Sequence, residues 1–206
     1  MKEVRAEWAL GVRLASKAGF DGIELPAANG YRLEHFRNAN GNKRTDAYGG
    51  TPEARNRFTI EVVEACIAAI GADKVGIRIS PLGVFNGTGA FEGVEDQYVA
   101  LAKKLSSLGI LYLHQVDHSA MGAPPIPAEL KAKLKAAFGR TYIAVGGFDV
   151  TSAEKALQEK RTDLITFGRP FLANPDLVAR MRAAAPPNPP AMTTCQPPAR
   201  KRPTPS

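Results

Sequence analysis

The sequence predicts an α/β protein whose strands pair in parallel, as part of a (β/α)8 TIM barrel. Five short apolar segments alternate with helical stretches, and each segment ends in polar or glycine-rich residues. Strands and helices that alternate in this way form parallel sheets with right-handed crossovers. An open doubly wound sheet is the alternative, but it would normally carry a GxGxxG motif or a P-loop after its first strand, and the sequence has neither there. The barrel is therefore the favoured architecture.

The expected elements follow one another regularly along the chain. Strands are expected at residues 22–25, 75–80, 111–116, 142–146 and 164–167. Helices are expected at residues 3–18, 52–71, 94–108, 128–138, 152–159 and 175–182. A clear helix start follows Thr51, because a proline and a glutamate come directly after this threonine. Residues 26–50 are expected to form a long polar loop, a kind of loop that usually carries function in a compact domain.

Composition limits the class of protein. The chain of 206 residues is 44% apolar and 23% charged, which is ordinary for a globular domain with a hydrophobic core. We predict one domain over residues 1–182, followed by a disordered, proline-rich basic tail over residues 183–206. Three basic residues near the end of the tail account for part of the net charge of +7, and the remaining excess is scattered. The charge therefore does not indicate a nucleic-acid-binding protein.

Cysteine usage and hydropathy favour a reducing compartment. Cys66 follows the apolar spacing of a helix and is expected to be a buried small hydrophobe, whereas Cys195 lies in the tail. The two cysteines have neither a disulfide pattern nor a metal-ligand spacing. No segment has the roughly eighteen apolar residues of a membrane span, and the first residues lack a signal-peptide core. We therefore expect a cytoplasmic protein with no membrane partner and no bound metal.

Glycines follow the last two expected strands, which is where α/β barrels often bind phosphate. Gly146 and Gly147 follow the fourth strand, and Gly168 and Arg169 follow the fifth. Glycine lets backbone N–H groups approach an anion closely, and arginine can bind a phosphate through two parallel hydrogen bonds. Glycine is also common at strand ends, so a phosphate site and an ordinary turn both stay open at this point.

Arg78, Asn29 and Tyr31 are further candidates for the site. Arg78 lies inside the apolar second strand, where an unpaired charge is unfavourable. It is either the partner of Glu24 in a structural ion pair or a fixed cation that faces the barrel mouth. Asn29 and Tyr31 follow the first strand. A tyrosine at such a position either serves as a general acid or packs with its hydroxyl hydrogen-bonded.

Histidines give weaker signals. His114 lies in the third strand, and His118 lies in the following loop beside Asp117. An aspartate and a histidine together can perform acid–base chemistry or bind a metal, but two ligands in one short loop are too few for a metal site. We therefore favour structural or solvent-facing roles for both histidines.

Several segments, in this order, resemble the Old Yellow Enzyme family of flavin-dependent alkene reductases. They are ELPAANGYRL, GNKRTDAYGGTPEARNRFTIEVVEA, VGIRISP, AVGGFD and FGRPFLANPDLVARM, within about residues 10–182. The segments NKRTDAYGG and GRPFLANPDL are the most specific of them. The resemblance implies an FMN-containing (β/α)8 barrel, in which the five expected strands are strands four to eight.

The resemblance also implies an activity and a set of site residues. NAD(P)H would reduce the bound FMN, and hydride would then pass to the β-carbon of a small activated alkene. Tyr31 would donate a proton to the α-carbon, and Asn29 would bind the carbonyl or nitro oxygen of the substrate. Arg78 would stabilise negative charge at the pyrimidine end of the reduced flavin. The FMN phosphate would be held by Gly146, Gly147, Gly168 and Arg169.

The chain departs from the family pattern in two ways that affect function. Pro26, in the substrate-binding segment, stands where the family usually has a histidine that works with Asn29, so one hydrogen-bond donor is missing. The first three strands of the family have no counterpart, and strands four to eight cannot close a barrel by themselves. We therefore expect the isolated chain to bind FMN weakly and to aggregate. The alternative function is a catalytically inactive fragment that retains at most an FMN or phosphate site.

Overall fold

Five strands form one sheet in the order β1-β2-β3-β4-β5 in the computed structural model, which describes residues 1–191. The strands are β1 (Ile23–Ala27), β2 (Val75–Ile79), β3 (Tyr112–Val116), β4 (Thr141–Val145) and β5 (Leu164–Thr166). The pairs from β1 to β4 are parallel, with Leu25 beside Ile77 and Ile77 beside Leu113. The spatial order of the strands is therefore their chain order, as in consecutive units of a (β/α)8 barrel.

Helices precede, connect and follow the strands along the chain. They are α1 (Lys2–Lys17), α2 (Arg32–Arg37), α3 (Pro52–Ile70), α4 (Val94–Ser107), α5 (Ala128–Phe138), α6 (Val150–Gln158), α7 (Arg169–Ala173) and α8 (Leu177–Arg182). Thr51 caps α3, because its hydroxyl accepts a hydrogen bond from the N–H of Ala54 at 3.2 Å. Asp149 caps α6 by accepting from the N–H of Ser152 at 2.7 Å. These side chains satisfy backbone donors at the helix starts, so both starts are specified locally.

The two faces of the sheet differ in chemistry. One face carries Leu25, Ile77 and Leu113, each at most 1% exposed, and packs with apolar helix residues such as Phe58 and Leu101. Side chains of a strand alternate between the two faces. The register therefore places several polar and charged residues together on the opposite, inner face: Glu24, Arg78, Tyr112 and His114. The hydrophobic core therefore lies between the sheet and the helices, and the polar and charged side chains lie on the inner face.

Most of the expected elements are present with boundaries shifted by one or two residues, but one expectation was wrong and one short helix was missed. The segment 26–50 is not loop throughout, because it contains α2. The apolar spacing did not indicate this helix, because the buried residue at its end is a charged one, Arg37, which is 0% exposed. The guanidinium of Arg37 donates to the carbonyl of Ala27 and, at 3.2 Å, to the hydroxyl of Thr59. The expected last helix also has a short neighbour, α7, that the sequence pattern missed.

The chain divides into two compact units, Met1–Ile165 and a second that begins at Thr166. In the second unit, the side chain of Asn174 donates to the carbonyl of Asn188 at 3.0 Å and accepts from its N–H at 2.7 Å. Residues 192–206, and with them Cys195 and most of the expected tail, lie outside the described residues. The boundary at residue 182 stays a prediction.

Two expectations about single features can be compared with the described residues. Cys66 is 0% exposed, as expected for a small buried hydrophobe. Burial raises the pKa of its thiol to about 11, so the thiol stays protonated near neutral pH. Within residues 1–191, no helix is both long and apolar enough to cross a lipid bilayer.

Candidate active site

A row of residues on the inner face lies near the carboxyl ends of the strands. The register places Pro26 of β1 beside Arg78 of β2, and Arg78 beside His114 of β3. The loops that continue β1 and β3 carry Asn29 and His118. Because the carboxyl ends of parallel strands meet at one edge of a sheet, these residues gather at the same edge.

The backbone of Asn29 is held from both sides. Its N–H donates to Oγ of Ser80 at 2.9 Å, and its carbonyl accepts from Nδ2 of Asn86 at 2.8 Å. Its φ of 59° lies in the left-handed region, which asparagine tolerates better than most residues. Its side-chain Oδ1 is buried and has no hydrogen-bond partner among the described residues. The peptide is thus fixed while an acceptor on the side chain is left free.

Gly30 occupies a position that other residues do not fit. A Cβ there would lie 2.2 Å from the carbonyl oxygen of Phe85, and φ is 69°. The N–H of Gly30 donates to Glu34 at 2.6 Å. Glu34 is 1% exposed and also accepts from the hydroxyls of Ser80 at 2.9 Å and Tyr98 at 3.0 Å. A buried carboxylate therefore anchors the turn after β1.

Tyr31 directly precedes α2, and its side chain is exposed. Its N–H donates to the carbonyl of Ala28 at 3.1 Å, and its carbonyl accepts from the N–H of His35 at 2.9 Å. The residue is nevertheless 57% exposed. The backbone of Tyr31 is therefore fixed, and its ring is accessible to a ligand.

Arg78 is a cation without a carboxylate partner within residues 1–191. The carboxylate of Glu24 pairs instead with His114, whose Nδ1 lies 2.8 Å from Oε2. Burial raises the pKa of Glu24, but the hydrogen bond and charge of His114, with a smaller effect of Arg78, hold this pKa below its ordinary value. Nε of Arg78 is buried and has no hydrogen-bond partner among the described residues. The guanidinium is thus free to serve a ligand on the inner face.

His118 is buried at the same edge. It is 8% exposed, and its ring lies edge-on to that of Phe85, with the centroids 4.7 Å apart. Burial lowers the pKa of His118, and the charge of Arg78 lowers it further against a smaller opposing effect of Asp117. Its Nδ1 has no partner among the described residues. Of the two roles expected for His118, this burial excludes the solvent-facing one.

Gly146 and Gly147 form a closely packed turn after β4. A Cβ on Gly146 would lie 2.0 Å from the carbonyl oxygen of Asp117, and its φ is 131°. Asp117 is held in turn by Lys131, whose Nζ lies 2.6 Å from the carboxylate. The turn therefore packs closely against the loop after β3, and its two glycines have no side chains of their own.

Gly168 and Arg169 belong to the second unit. Gly168 precedes α7 and Arg169 begins it. A Cβ built on Gly168 would meet no described atom within 4 Å, so local packing does not require glycine there. Their role toward a phosphate stays a prediction from the sequence.

Sequence reasoning missed four residues that build this edge: Glu34, Ser80, Phe85 and Asn86. A signal existed for Asn86, because an Asn-Gly pair is typical of turns, and Asn86 has a φ of 53°. No signal marks Glu34, since its hydroxyl partners lie 46 and 64 residues further along the chain. Among residues 1–191, no three histidine, cysteine, aspartate or glutamate side chains are grouped so that they could hold a metal ion.

The sequence profile of the NADH:flavin oxidoreductase / NADH oxidase family matches residues 1–188. The chain belongs to this family. It is 38% identical over 184 residues to 12-oxophytodienoate reductase 2 of Arabidopsis thaliana, a match that covers 88% of this chain and 49% of the relative. It is also 38% identical over 188 residues to the chanoclavine-I aldehyde reductase of Penicillium roqueforti, covering 88% and 50% of the two chains. The chain thus spans about half the length of the curated relatives it matches.

Solved structures of NADH:flavin oxidoreductases share the fold. Morphinone reductase superposes with a TM-score of 0.89 at 34% identity, covering 94% of this chain and 52% of that enzyme. The Old Yellow Enzyme homologue of Zymomonas mobilis gives 0.88 at 32% identity, covering 94% and 55%. The resemblance to the Old Yellow Enzyme family is thereby confirmed. So is the fold class, an α/β chain whose strands form part of a (β/α)8 barrel.

The residues at this edge of the sheet fit the FMN of an NADH:flavin oxidoreductase. FMN has ring acceptors and a phosphate, and the edge offers a cation at Arg78 and the backbone N–H groups of the turn at Gly146 and Gly147. Buried polar atoms in folded proteins nearly always have a hydrogen-bond partner. The unpaired Nε of Arg78 and Oδ1 of Asn29 therefore mark this edge as a place where a ligand completes the hydrogen bonding.

Proposed function

We propose that this chain carries the flavin-binding and proton-donating part of an FMN-dependent oxidoreductase that reduces activated alkenes with NAD(P)H. The family of NADH:flavin oxidoreductases supports the cofactor. The names 12-oxophytodienoate reductase and morphinone reductase support an enone substrate, and morphinone reductase in complex with tetrahydroNAD supports a nicotinamide donor.

The observation that carries this proposal is the unpaired guanidinium Nε of Arg78 on the inner face. A buried donor without an acceptor destabilises a fold by about 1–3 kcal/mol, and more when the group is charged. Such an arrangement is explained if a ligand accepts the hydrogen bond. An anionic or electron-rich acceptor fits best, because the guanidinium stays positively charged.

Three residues of the first unit would act on the cofactor. FMN supplies hydride-transfer chemistry when it is bound. Arg78 would donate to the flavin and stabilise negative charge that develops there. Gly146 and Gly147 would offer backbone N–H groups to the phosphate. For Gly168 and Arg169, the same role rests on the sequence resemblance, and Arg169→Ala tests it through the affinity for FMN.

Three residues would act on the substrate. Asn29 would bind the substrate oxygen through its side-chain amide. Tyr31 would hold a proton on its exposed hydroxyl and release it to the α-carbon. Pro26, beside Arg78 in the inner row, has no donor, so the substrate oxygen would lack one hydrogen bond. A missing donor of this kind weakens transition-state stabilisation by about 3 kcal/mol, so we expect low turnover of simple enones.

An absorbance experiment tests the proposal. The purified chain is titrated with FMN, reduced anaerobically with NADPH or NADH, and then mixed with 2-cyclohexenone. We expect saturable binding of FMN, bleaching of the yellow colour by the nicotinamide, and recovery of the colour on addition of the enone. A folded chain that shows no saturable binding would refute the proposed cofactor.

The second candidate is a catalytically inactive chain that retains at most an FMN site, and Pro26, which has no side-chain donor for a substrate oxygen, favours it. The same experiment separates the two. FMN binding without bleaching, or bleaching without recovery by the enone, supports the second candidate. Full recovery with repeated turnover excludes it.

A further inference from the structure

We infer that Asn86 is a positioning residue for Asn29, and that the loop after β2 thereby sets the geometry of the substrate-oxygen site. This inference rests on the proposed function, which gives Asn29 its role toward the substrate. We define the β2 loop as residues 80–93. Nδ2 of Asn86 donates to the carbonyl of Asn29 at 2.8 Å, across 57 residues of sequence. The bond therefore joins two loops that follow neighbouring strands.

The N–H of Asn29 is held by a chain of hydrogen bonds to residues of the buried core. It donates to Oγ of Ser80, and the hydroxyl of Ser80 donates in turn to the carboxylate of Glu34 at 2.9 Å. Ser80 is 0% exposed and Glu34 is 1% exposed. These bonds cannot be changed without disturbing buried groups. The bond from Asn86 to the carbonyl of Asn29 is exposed. Removing it can therefore change the position of Asn29 without disturbing the buried core.

Asn86 is itself held in place from α2. Its carbonyl oxygen lies 2.7 Å from Nε2 of His35, and because a carbonyl only accepts, Nε2 is the donor in this bond. Asn86 has φ 53° and ψ 40°, a left-handed conformation inside the 3₁₀ turn Phe85–Gly87. The side-chain amide of Asn86 is thus aimed at Asn29 by a backbone that has its own anchor.

The consequence for the site is a fixed direction of the Cα–Cβ bond of Asn29. Asn29 has a φ of 59°, which is less favourable than the common right-handed values for a residue with a side chain. Bonds at both its N–H and its carbonyl hold it there, while its Oδ1 stays buried and unpaired. Without the donor of Asn86, the carbonyl loses its partner and the residue is free to relax. The side-chain amide would then lose its orientation toward the substrate oxygen.

A matched pair of asparagine variants tests this inference. Asn86→Asp keeps the size of the side chain and its tolerance of a left-handed φ, but it removes the donor. Asn40→Asp is the control, because Nδ2 of Asn40 donates to the carbonyl of Ala90 in the same β2 loop at 3.1 Å and does not contact Asn29. Asn86→Gly is a second test variant, since glycine adopts a left-handed φ without strain and adds no charge.

Two readouts are measured on all variants. Hydrogen–deuterium exchange of residues 28–31 reports how firmly the Asn29 peptide is held. Steady-state reduction of 2-cyclohexenone by the FMN-supplemented chain reports the site. For both Asn86 variants we expect exchange to accelerate and kcat/KM to fall, each by about three- to tenfold, as for one lost hydrogen bond. The Kd for FMN and both readouts of Asn40→Asp should stay within about twofold of the parent, because distant sites act independently.

Each outcome decides a separate question. Unchanged exchange at residues 28–31 in both Asn86 variants would overturn the inference. So would faster exchange with a kcat/KM no lower than that of Asn40→Asp. A parent chain that binds no FMN would instead refute the proposed function, and the exchange data would then decide alone whether Asn86 holds Asn29.

Discussion

The imidazole Nδ1 of His114 lies 2.8 Å from a carboxylate oxygen of Glu24, although strand β2 separates the two strands that carry them. The pair is partly shielded, with side-chain exposures of 8% for His114 and 32% for Glu24. It leaves Arg78, which lies between them in the sheet, without a carboxylate partner within residues 1–191. The same arrangement that pairs Glu24 with His114 thus leaves the arginine available to a ligand.

Glu24→Gln should lower stability in a pH-dependent way. The pKa of Glu24 lies below its ordinary value of 4.5. The carboxylate therefore contributes stability that is present above pH 4.5 and is lost as the pH falls through the lowered pKa. We expect Glu24→Gln to unfold about 1 kcal/mol more easily than the parent at pH 7. The difference should shrink towards pH 3, as measured by urea unfolding.

Glu129→Gln is the control for this prediction. Glu129 also forms an ion pair, with Lys133 at 2.8 Å, but its side chain is 77% exposed. Exposed pairs contribute little in water, so this substitution should leave the free energy of unfolding at pH 7 unchanged. A difference between Glu24→Gln and the parent that persists undiminished at pH 3 would contradict the assignment.

Arg78→Met separates a binding role from a structural one. Because Nε of Arg78 is buried without a partner, its removal should leave the free energy of unfolding of the ligand-free chain unchanged or slightly higher. The affinity for FMN should fall by about tenfold or more, as expected for a lost charged hydrogen bond. Unfolding curves without FMN and titration by flavin fluorescence measure the two effects.

Arg37→Met is the matched comparison. Arg37 is 0% exposed, and its guanidinium donates to Thr59 at 3.2 Å and to the carbonyl of Ala27. Its loss should destabilise the chain by about 2 kcal/mol or more, because a buried hydroxyl and a carbonyl lose their donor. If Arg78→Met destabilises the ligand-free chain as much as Arg37→Met does, Arg78 is a structural residue.

The order of strands and helices could be predicted because local signals specify it. Thr51 caps α3 with a hydrogen bond over three residues, and apolar spacing marks the buried faces of the other elements. The site could be predicted only in part. Asn29 and Arg78 were candidates from their positions along the strands, and the resemblance gave their roles, but the bonds that hold Asn29 join residues 51 and 57 positions apart. Contacts of that range depend on how strands pair, and no periodicity along the chain encodes them.

Gly146→Ala should disturb the turn that is proposed to hold the FMN phosphate. The added Cβ would lie 2.0 Å from the carbonyl oxygen of Asp117, and the φ of 131° is strained for alanine. We expect a loss of about 2 kcal/mol or more in the free energy of unfolding, together with weaker FMN binding. Gly11→Ala, in α1, meets nothing within 4 Å among the described residues and should stabilise the chain by about 0.5–1 kcal/mol.

Pro26→His should raise the activity towards enones. Pro26 lies beside Arg78 on the inner face, and β1 pairs only with β2 among the described strands, so the backbone tolerates either residue. A histidine there would add the second donor to the substrate oxygen that Asn29 is proposed to bind. One such donor contributes about 3 kcal/mol in other enzymes, so kcat/KM for 2-cyclohexenone should rise by about tenfold to a hundredfold.

Pro26→Ala separates the new donor from the loss of proline. It removes the ring and frees the backbone N–H but offers no side-chain donor, so its kcat/KM should stay close to that of the parent. The Kd for FMN should be similar in all three chains, since neither substitution replaces a group proposed to bind the cofactor. An equal gain in Pro26→Ala and Pro26→His would show that backbone freedom, and not the imidazole, limits turnover. No gain in Pro26→His would mean that the missing donor is not what limits enone reduction.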